Sequence, residues 1–238
     1  TRCVGCYPRS RQARRMTEDE ARLWLRKELF VSRETEEKLE AFVAYLCVEM
    51  QAQNLISAST VDSIWTRHIV DSAQLLTLLP EDQDHAGRWI DLGSGAGFPG
   101  LVVAIISNWQ VTLVESRAKR IDYLHRAVET LGLHNQVAIE GSSLERVETA
   151  PFSVISARAF APLSRLFTLA QRFSTAKTLW LLPKGRNAAK EWEEAKCDWN
   201  GDFRIVPSVT DGEAGLLVGH LTGAKQRNDV RQAVKRRK

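Results

Sequence analysis

No run in this 238-residue chain approaches the ~20 consecutive apolar residues that a membrane helix needs, so no membrane partner is expected. The opening stretch Thr1 to Arg15 is basic with no apolar segment behind it, which does not fit a secretory signal. Cysteine is scarce: Cys3, Cys6, Cys47 and Cys197 are too few and too scattered for a disulfide scaffold, and a reducing, cytoplasmic setting is expected. Cys3 and Cys6 have the spacing of a zinc or redox pair, but no second pair or nearby histidines accompany them, so no metal is expected. No internal repeat is present. A hydrophobic fraction of 44% with 26% charged residues excludes disordered and collagen-like classes for the chain as a whole.

The formal net charge of +4 is carried by the ends. Residues 1–15 and 225–238 hold 12 of the 33 basic residues, which leaves 21 bases against 28 acids in residues 16–224, a net of −7. The body is therefore acidic, and the overall charge is no argument for nucleic-acid binding.

Four segments follow: a basic extension (1–15), a helical segment (16–80), an α/β domain (81–224) and a basic tail (225–238). Thr17 and Glu20 form a capping-box pattern for a first helix. Ser32 caps a second, in which Leu39, Phe42, Leu46 and Met50 recur at helical spacing. A third helical segment is expected from about Thr60 to Leu79, closed by Pro80, with Trp24 and Trp65 packing between helices or against the next domain. From Arg88 onward short apolar runs alternate with amphipathic segments. Strands are expected near 89–92, 111–115, 136–140, 152–156, 178–182, 203–209 and 216–221, with helices near 99–107, 119–131, 163–173 and 188–196. This alternation predicts right-handed crossovers and a mostly parallel sheet, while the short Asp211-Gly212-Glu213 connection predicts a closing antiparallel hairpin.

The most informative segment runs from Asp91 to Gly100, where the first strand hands over to a helix. Gly93, Gly95 and Gly97 allow backbone angles closed to other residues and let a ligand approach the main chain. This is a cofactor elbow at the carboxyl edge of a sheet. Gly95, Gly97 and Gly100 also satisfy a dinucleotide fingerprint, so the pattern alone does not separate cofactors. Asp91, two positions before the first loop glycine, suits water or a ligand ammonium better than a pyrophosphate, which points to S-adenosylmethionine. Glu115, at the end of the second strand, is placed to take ribose hydroxyls of either cofactor.

With these residues assembled, the sequence resembles the bacterial small-subunit ribosomal RNA guanine-N7 methyltransferases, the glucose-inhibited division protein B family. The matching stretches are residues 54–57, 65–72, 91–100, 113–120, 155–160 and 182–185, in the family's order across roughly residues 17–222. The resemblance implies a Rossmann-like class I methyltransferase fold with seven strands, the last inserted antiparallel, and an N-terminal helical segment. It implies S-adenosylmethionine as cofactor and a guanine in the 530 loop of 16S rRNA as acceptor, on the small ribosomal subunit. A monomer is expected. Carried over by position, Gly93 and Phe98 line the cofactor pocket, Leu144 and Glu145 flank the adenine, and Arg158 contacts the cofactor.

Guanine N7 has a free lone pair and loses no proton, so no general base is expected, and no Cys-based or His/Asp relay motif is present. His68 and Asp71 share a helical face ahead of the loop. His68 reads equally as a substrate contact or as packing, and Asp71 with Ser72 is expected to brace the glycine loop. Arg117, Lys119 and Arg120 after the second strand, with Lys184 and Arg186 after the fifth, are the candidate phosphate contacts. Phe98 and Phe160 are candidates for stacking on a base. Other readings of the same residues are a methyltransferase with a different acceptor, an NAD-dependent oxidoreductase and a non-catalytic assembly factor.

Overall fold

The computed structural model describes residues 16–80 and 87–226. Cys3, Cys6 and nearly all of the two basic ends lie outside these residues. Helices α1 (Glu18–Glu28) and α2 (Arg33–Glu49) begin where the caps predict. The Glu20 N–H donates to Thr17 Oγ1 at 3.2 Å and the Thr17 N–H to Glu20 Oε2 at 2.8 Å, while Ser32 accepts from the Thr35 N–H. Arg22 and Arg26 converge on Glu36, fastening α1 to α2.

The segment after α2 departs from the expected continuous helix. It is a 3-10 turn (Ala58–Ser63), a π-helical turn (Trp65–Val70), one α turn α3 (Asp71–Ala73) and a second 3-10 turn (Gln74–Leu78). A side chain from far away accounts for the break: the Glu18 carboxylate accepts the Trp65 and Thr66 N–H groups and the Thr66 hydroxyl, at 2.8–3.1 Å. Amide donors taken by an inserted side chain are lost to the regular ladder. Trp65 is buried with the Arg22 guanidinium 3.9 Å above its ring, and Trp24 packs at the core's margin.

Strands β1 (Arg88–Leu92), β2 (Gln110–Val114), β3 (Val137–Glu140), β4 (Val154–Ala157), β5 (Leu179–Gly185), β6 (Trp199–Pro207) and β7 (Gly215–Ala224) form one sheet in the order β3-β2-β1-β4-β5-β7-β6. The first five pair in parallel; β7 runs antiparallel to both β5 and β6. Helices α4 (Gly100–Ile106), α5 (Ala118–Thr130), α6 (Leu163–Ala170) and α7 (Ala188–Ala195) are the crossovers.

Alternate strand residues enter opposite faces of the sheet. Trp89, Leu113 and Leu181 join α1, α2, α4 and α5 in one core, whereas Ile90, Leu92, Trp180 and Leu182 join α6 and α7 in the other. The N-terminal helices thus share a core with the sheet, through Leu25, Leu39, Phe42 and Leu46. Each fully buried Leu or Phe of this kind contributes about 1.5–3 kcal/mol.

Candidate cofactor and substrate site

The chain leaves β1 at Leu92 and turns through Gly93 (φ +71°) and Gly97 (φ +88°) before α4 begins. A Cβ on Gly93 would stand 2.5 Å from the Phe160 ring, and one on Gly97 would run into the Leu101 side chain. The Gly93 and Ser94 N–H groups both donate to the Val114 carbonyl, which ties the loop to the end of β2. The Phe98–Pro99 peptide bond is cis.

Asp91 organises this loop from beneath. Its Oδ2 accepts the Gly100 N–H at 3.2 Å and its Oδ1 the Ser156 hydroxyl at 2.7 Å; Ser156 in turn accepts from Trp89 Nε1. The side chain is fully buried and is not part of the cavity wall, so it does not meet water or a ligand ammonium as the sequence suggested. Both oxygens are already engaged. Burial raises its pKa to about 6, against the lowering effect of the Ser156, Ser94 and Gly100 hydrogen bonds.

Above the loop lies a cavity of about 310 Å³. Of the expected cofactor residues, Gly93, Gly95, Phe98, Glu115, Leu144 and Arg158 line it; Asp91, Gly97 and Glu145 do not. Of the expected substrate cations, Arg117 and Arg120 reach this cavity, while Lys119 faces solvent on α5. Glu115 is 6% exposed. Its Oε1 accepts the Ser116 and Arg117 N–H groups at 2.8 and 3.0 Å, and its Oε2 accepts the Gly95 N–H at 3.1 Å. Oε2 therefore keeps a lone pair for a ligand hydroxyl.

Phe98 is packed rather than presented: it is 3% exposed, with ring centroids 5.3 Å from Phe42 and 5.0 Å from His68. The Arg158 guanidinium lies 5.1 Å from the same ring. Arg158 Nη2 meets His68 Nδ1 at 3.1 Å, and a guanidinium only donates, so Nδ1 accepts. His68 Nε2–H then donates to Thr60 Oγ1 at 2.8 Å, whose hydroxyl donates to the Ser57 carbonyl. Burial first, then Arg158 and Arg67, push the His68 pKa down to about 3, which keeps the ring neutral. His68 lines neither this cavity nor the larger one beside it.

Asp71 and Ser72 do not brace the glycine loop. Asp71 Oδ1 accepts from Gln74 and Thr210, and its Oδ2 faces Arg158 at 3.4 Å; the Ser72 hydroxyl donates to the His68 carbonyl. Asp71 thus faces Arg158 after β4 and Thr210 in the β6–β7 connection, while Ser72 bonds its own helical turn. Lys184 is 9% exposed along its side chain, donating to the Ala161 carbonyl at 3.0 Å and pairing with Glu191 at 3.0 Å. A phosphate contact there requires that pair to open.

Ala159 holds φ +52°, a region costing a non-glycine residue about 1–2 kcal/mol. It stands with Arg158 and Phe160 in the wall shared by the two cavities. Sequence reasoning missed Ala159, Arg67, Thr60 and Leu55 as site residues; only the matching stretches 54–57, 65–72 and 155–160 pointed to their neighbourhoods. Among the described residues, no group of three or more His, Cys, Asp or Glu side chains is placed to hold a metal ion, and no helix is long and apolar enough to cross a membrane.

Residues 35–215 match the family model described as rRNA small subunit methyltransferase G. A protein of Rhizorhabdus wittichii named ribosomal RNA small subunit methyltransferase G is 57% identical over 204 residues, 85% of this chain and 92% of that protein. A protein of the same name from Zymomonas mobilis is 51% identical over 218 residues, 89% and 98% of the two chains. The crystal structure of a Bacillus cereus O-methyltransferase in complex with SAH superposes with a TM-score of 0.54 at 13% identity, covering 83% of this chain and 96% of that one. That last likeness concerns the fold alone.

Proposed function

The chain belongs to the rRNA small subunit methyltransferase G family, and on that premise we propose that it methylates N7 of a guanine in the 530 loop of 16S rRNA, on the small subunit. It is an S-adenosylmethionine-dependent rRNA methyltransferase. The observation that carries the reading is one cavity in which the glycine loop after β1 faces the Glu115 carboxylate after β2. A ribosomal RNA substrate supports a cytoplasmic site of action, and a monomer is the form we propose.

The residues fit a phosphate-free cofactor. In dinucleotide sites the pyrophosphate sits on the N–H groups opening the helix after the glycine loop. Here the first of these, from Gly100, is taken by the buried Asp91 carboxylate, whose negative charge above pH 6 repels a diphosphate. Glu115 Oε2 suits a ribose hydroxyl, and the buried Leu144 offers an apolar wall to a purine. S-adenosylmethionine, when bound, supplies a methyl carbon to the N7 lone pair as its C–S bond breaks, the electron pair staying on sulfur and no proton leaving the base.

The protein's own contribution is alignment, exclusion of water and charge. Phe98, clamped between Phe42, His68 and Arg158, fixes one wall of the cavity. The Thr60–His68–Arg158–Asp71 chain of hydrogen bonds and ion pairing ties that wall to the helical segment. Arg117, exposed at the start of α5, is free to meet a phosphate. A cation at a helix N-terminus is locally unfavourable, which supports a role outside the fold. The acidic body predicts weak long-range steering and recognition of a folded ribonucleoprotein surface.

The test is transfer of labelled methyl from S-adenosylmethionine to small subunits isolated from cells lacking this enzyme, with naked 16S rRNA alongside. Label on one guanine of the 530 loop, with subunits the better substrate, is the expected result. Label elsewhere, or on naked RNA alone, overturns the reading.

A further inference from the structure

Through Arg158, Ala159 and Phe160 the cofactor cavity shares a wall with a larger cavity of about 720 Å³, bounded on its other sides by the end of β5, α7 and the β6–β7 connection. The acceptor nitrogen must approach the methyl carbon to about 3–3.5 Å, so a cavity adjoining the cofactor is where an extruded base has room. Among the acidic side chains bordering it, Asp71 is occupied by Gln74, Thr210 and Arg158. Asp211 is less fully engaged: among the described residues its Oδ1 accepts only the Glu213 N–H at 3.1 Å, and its Oδ2 is ion-paired with Arg67 and Arg186 at 3.7 and 3.9 Å without a hydrogen bond from either. At 17% side-chain exposure it is a mostly desolvated carboxylate with acceptor capacity on both oxygens.

Guanine carries two adjacent donors, N1–H and the N2 amino group, whereas adenine presents a lone pair at N1 and nothing to donate at C2. A carboxylate accepts both guanine donors at once and repels the adenine lone pair. We infer that the larger cavity holds the acceptor guanine and that Asp211 reads its N1–H and N2–H edge. N7 lies across the purine from that edge, so a base held by Asp211, which is absent from the cofactor cavity's wall, turns N7 toward the shared wall. The ring gains positive charge on methylation, and Glu191 contributes to the same surroundings: its Oε2 is out of solvent, 3.0 Å from Lys184 Nζ, yet takes no aligned hydrogen bond. Arg67 and Arg186, both exposed beside Asp211, are placed for the flanking phosphates.

This inference rests on guanine N7 as the acceptor, and the experiment separates the two. Asp211→Asn preserves the turn, because its amide oxygen can still accept the Glu213 N–H; Asp211→Ala is the second variant. Both are assayed with subunits carrying guanine or adenine at the target, alongside S-adenosylmethionine affinity and thermal unfolding of each protein. The expected result is cofactor Kd within twofold of wild type, kcat/KM on guanine reduced about 10- to 100-fold, and a guanine-over-adenine ratio narrowed by a similar factor in Asp211→Asn. Wild-type rates and discrimination in both variants would overturn the assignment of Asp211 while leaving the reaction intact. Absence of guanine N7 methylation by the wild type would remove the reading on which the inference stands.

Discussion

Glu115→Gln changes one atom of the cofactor cavity, and the consequences follow from who donates to whom. The carboxylate serves donors on both sides: Ser116 and Arg117 on Oε1, Gly95 on Oε2. An amide has one oxygen. Turned to Ser116 and Arg117, it presents its NH2 to the Gly95 N–H and to any ligand hydroxyl seeking an acceptor. The unmatched buried donor costs about 1–3 kcal/mol, and the lost charge-assisted bond to the ligand about 1.5–3 kcal/mol. The first figure lowers the melting temperature of the ligand-free protein by roughly 2–12 °C. The second weakens S-adenosylmethionine binding about 10- to 150-fold. Isothermal titration calorimetry with the cofactor and scanning calorimetry without it measure the two separately. A variant binding within threefold of wild type would refute the assignment of Oε2 as the ligand's acceptor.

Further outcomes follow from the same geometry. Gly97→Ala places a side chain at φ +88° against Leu101; backbone strain of about 1–2 kcal/mol and overpacking of about 1–3 kcal/mol predict a loss of about 2–5 kcal/mol in urea unfolding, and an unchanged midpoint would refute it. His68 has a folded pKa of about 3 against 6.5 unfolded, so the unfolded state binds more protons between these values and the neutral ring's contribution is lost as pH falls from 6.5 toward 3. Relative to His68→Gln, the wild type should lose up to about 1.4 kcal/mol per pH unit across that window; parallel stability curves for the two proteins would contradict the buried neutral histidine. Lys184→Ala should leave cofactor Kd unchanged and lower transfer to subunits, because it frees the Ala161 carbonyl and Glu191 beside the larger cavity, away from Glu115.

The sheet was legible because β1, β2, β4 and β5 are buried on both faces and read as short apolar runs between amphipathic helices. The ends of β6 were not. Asn200, Gly201 and Asp202 carry no apolar pattern and are strand only because β7 pairs with them. The glycine loop and Glu115 announced themselves by local spacing. The break in the segment after residue 57 depends on Glu18, 47 residues before Trp65, and no local signal encodes such an intrusion. The same holds for Arg158, whose partners His68 and Asp71 lie 90 and 87 residues away. Lys184 looked like a free cation because its partner Glu191 sits on the following helix, where only the turn after β5 brings them together. Asp91 was legible as special but not in its role: a carboxylate beside glycines suggests a ligand, and only the folded loop shows both oxygens turned inward.

If the cavity above the glycine loop carries methyl transfer to guanine N7 in 16S rRNA, blocking the loop must abolish the modification. Mass spectrometry of the 530-loop fragment of 16S rRNA reads this in cells deleted for the enzyme and complemented with wild type or with Gly93→Asp, which sets a charged side chain at φ +71° against Phe160. The expected result is one N7-methylguanine restored by the wild type and absent with Gly93→Asp produced at equal level. Restoration by both proteins, or an unmodified fragment with the wild type, would contradict it.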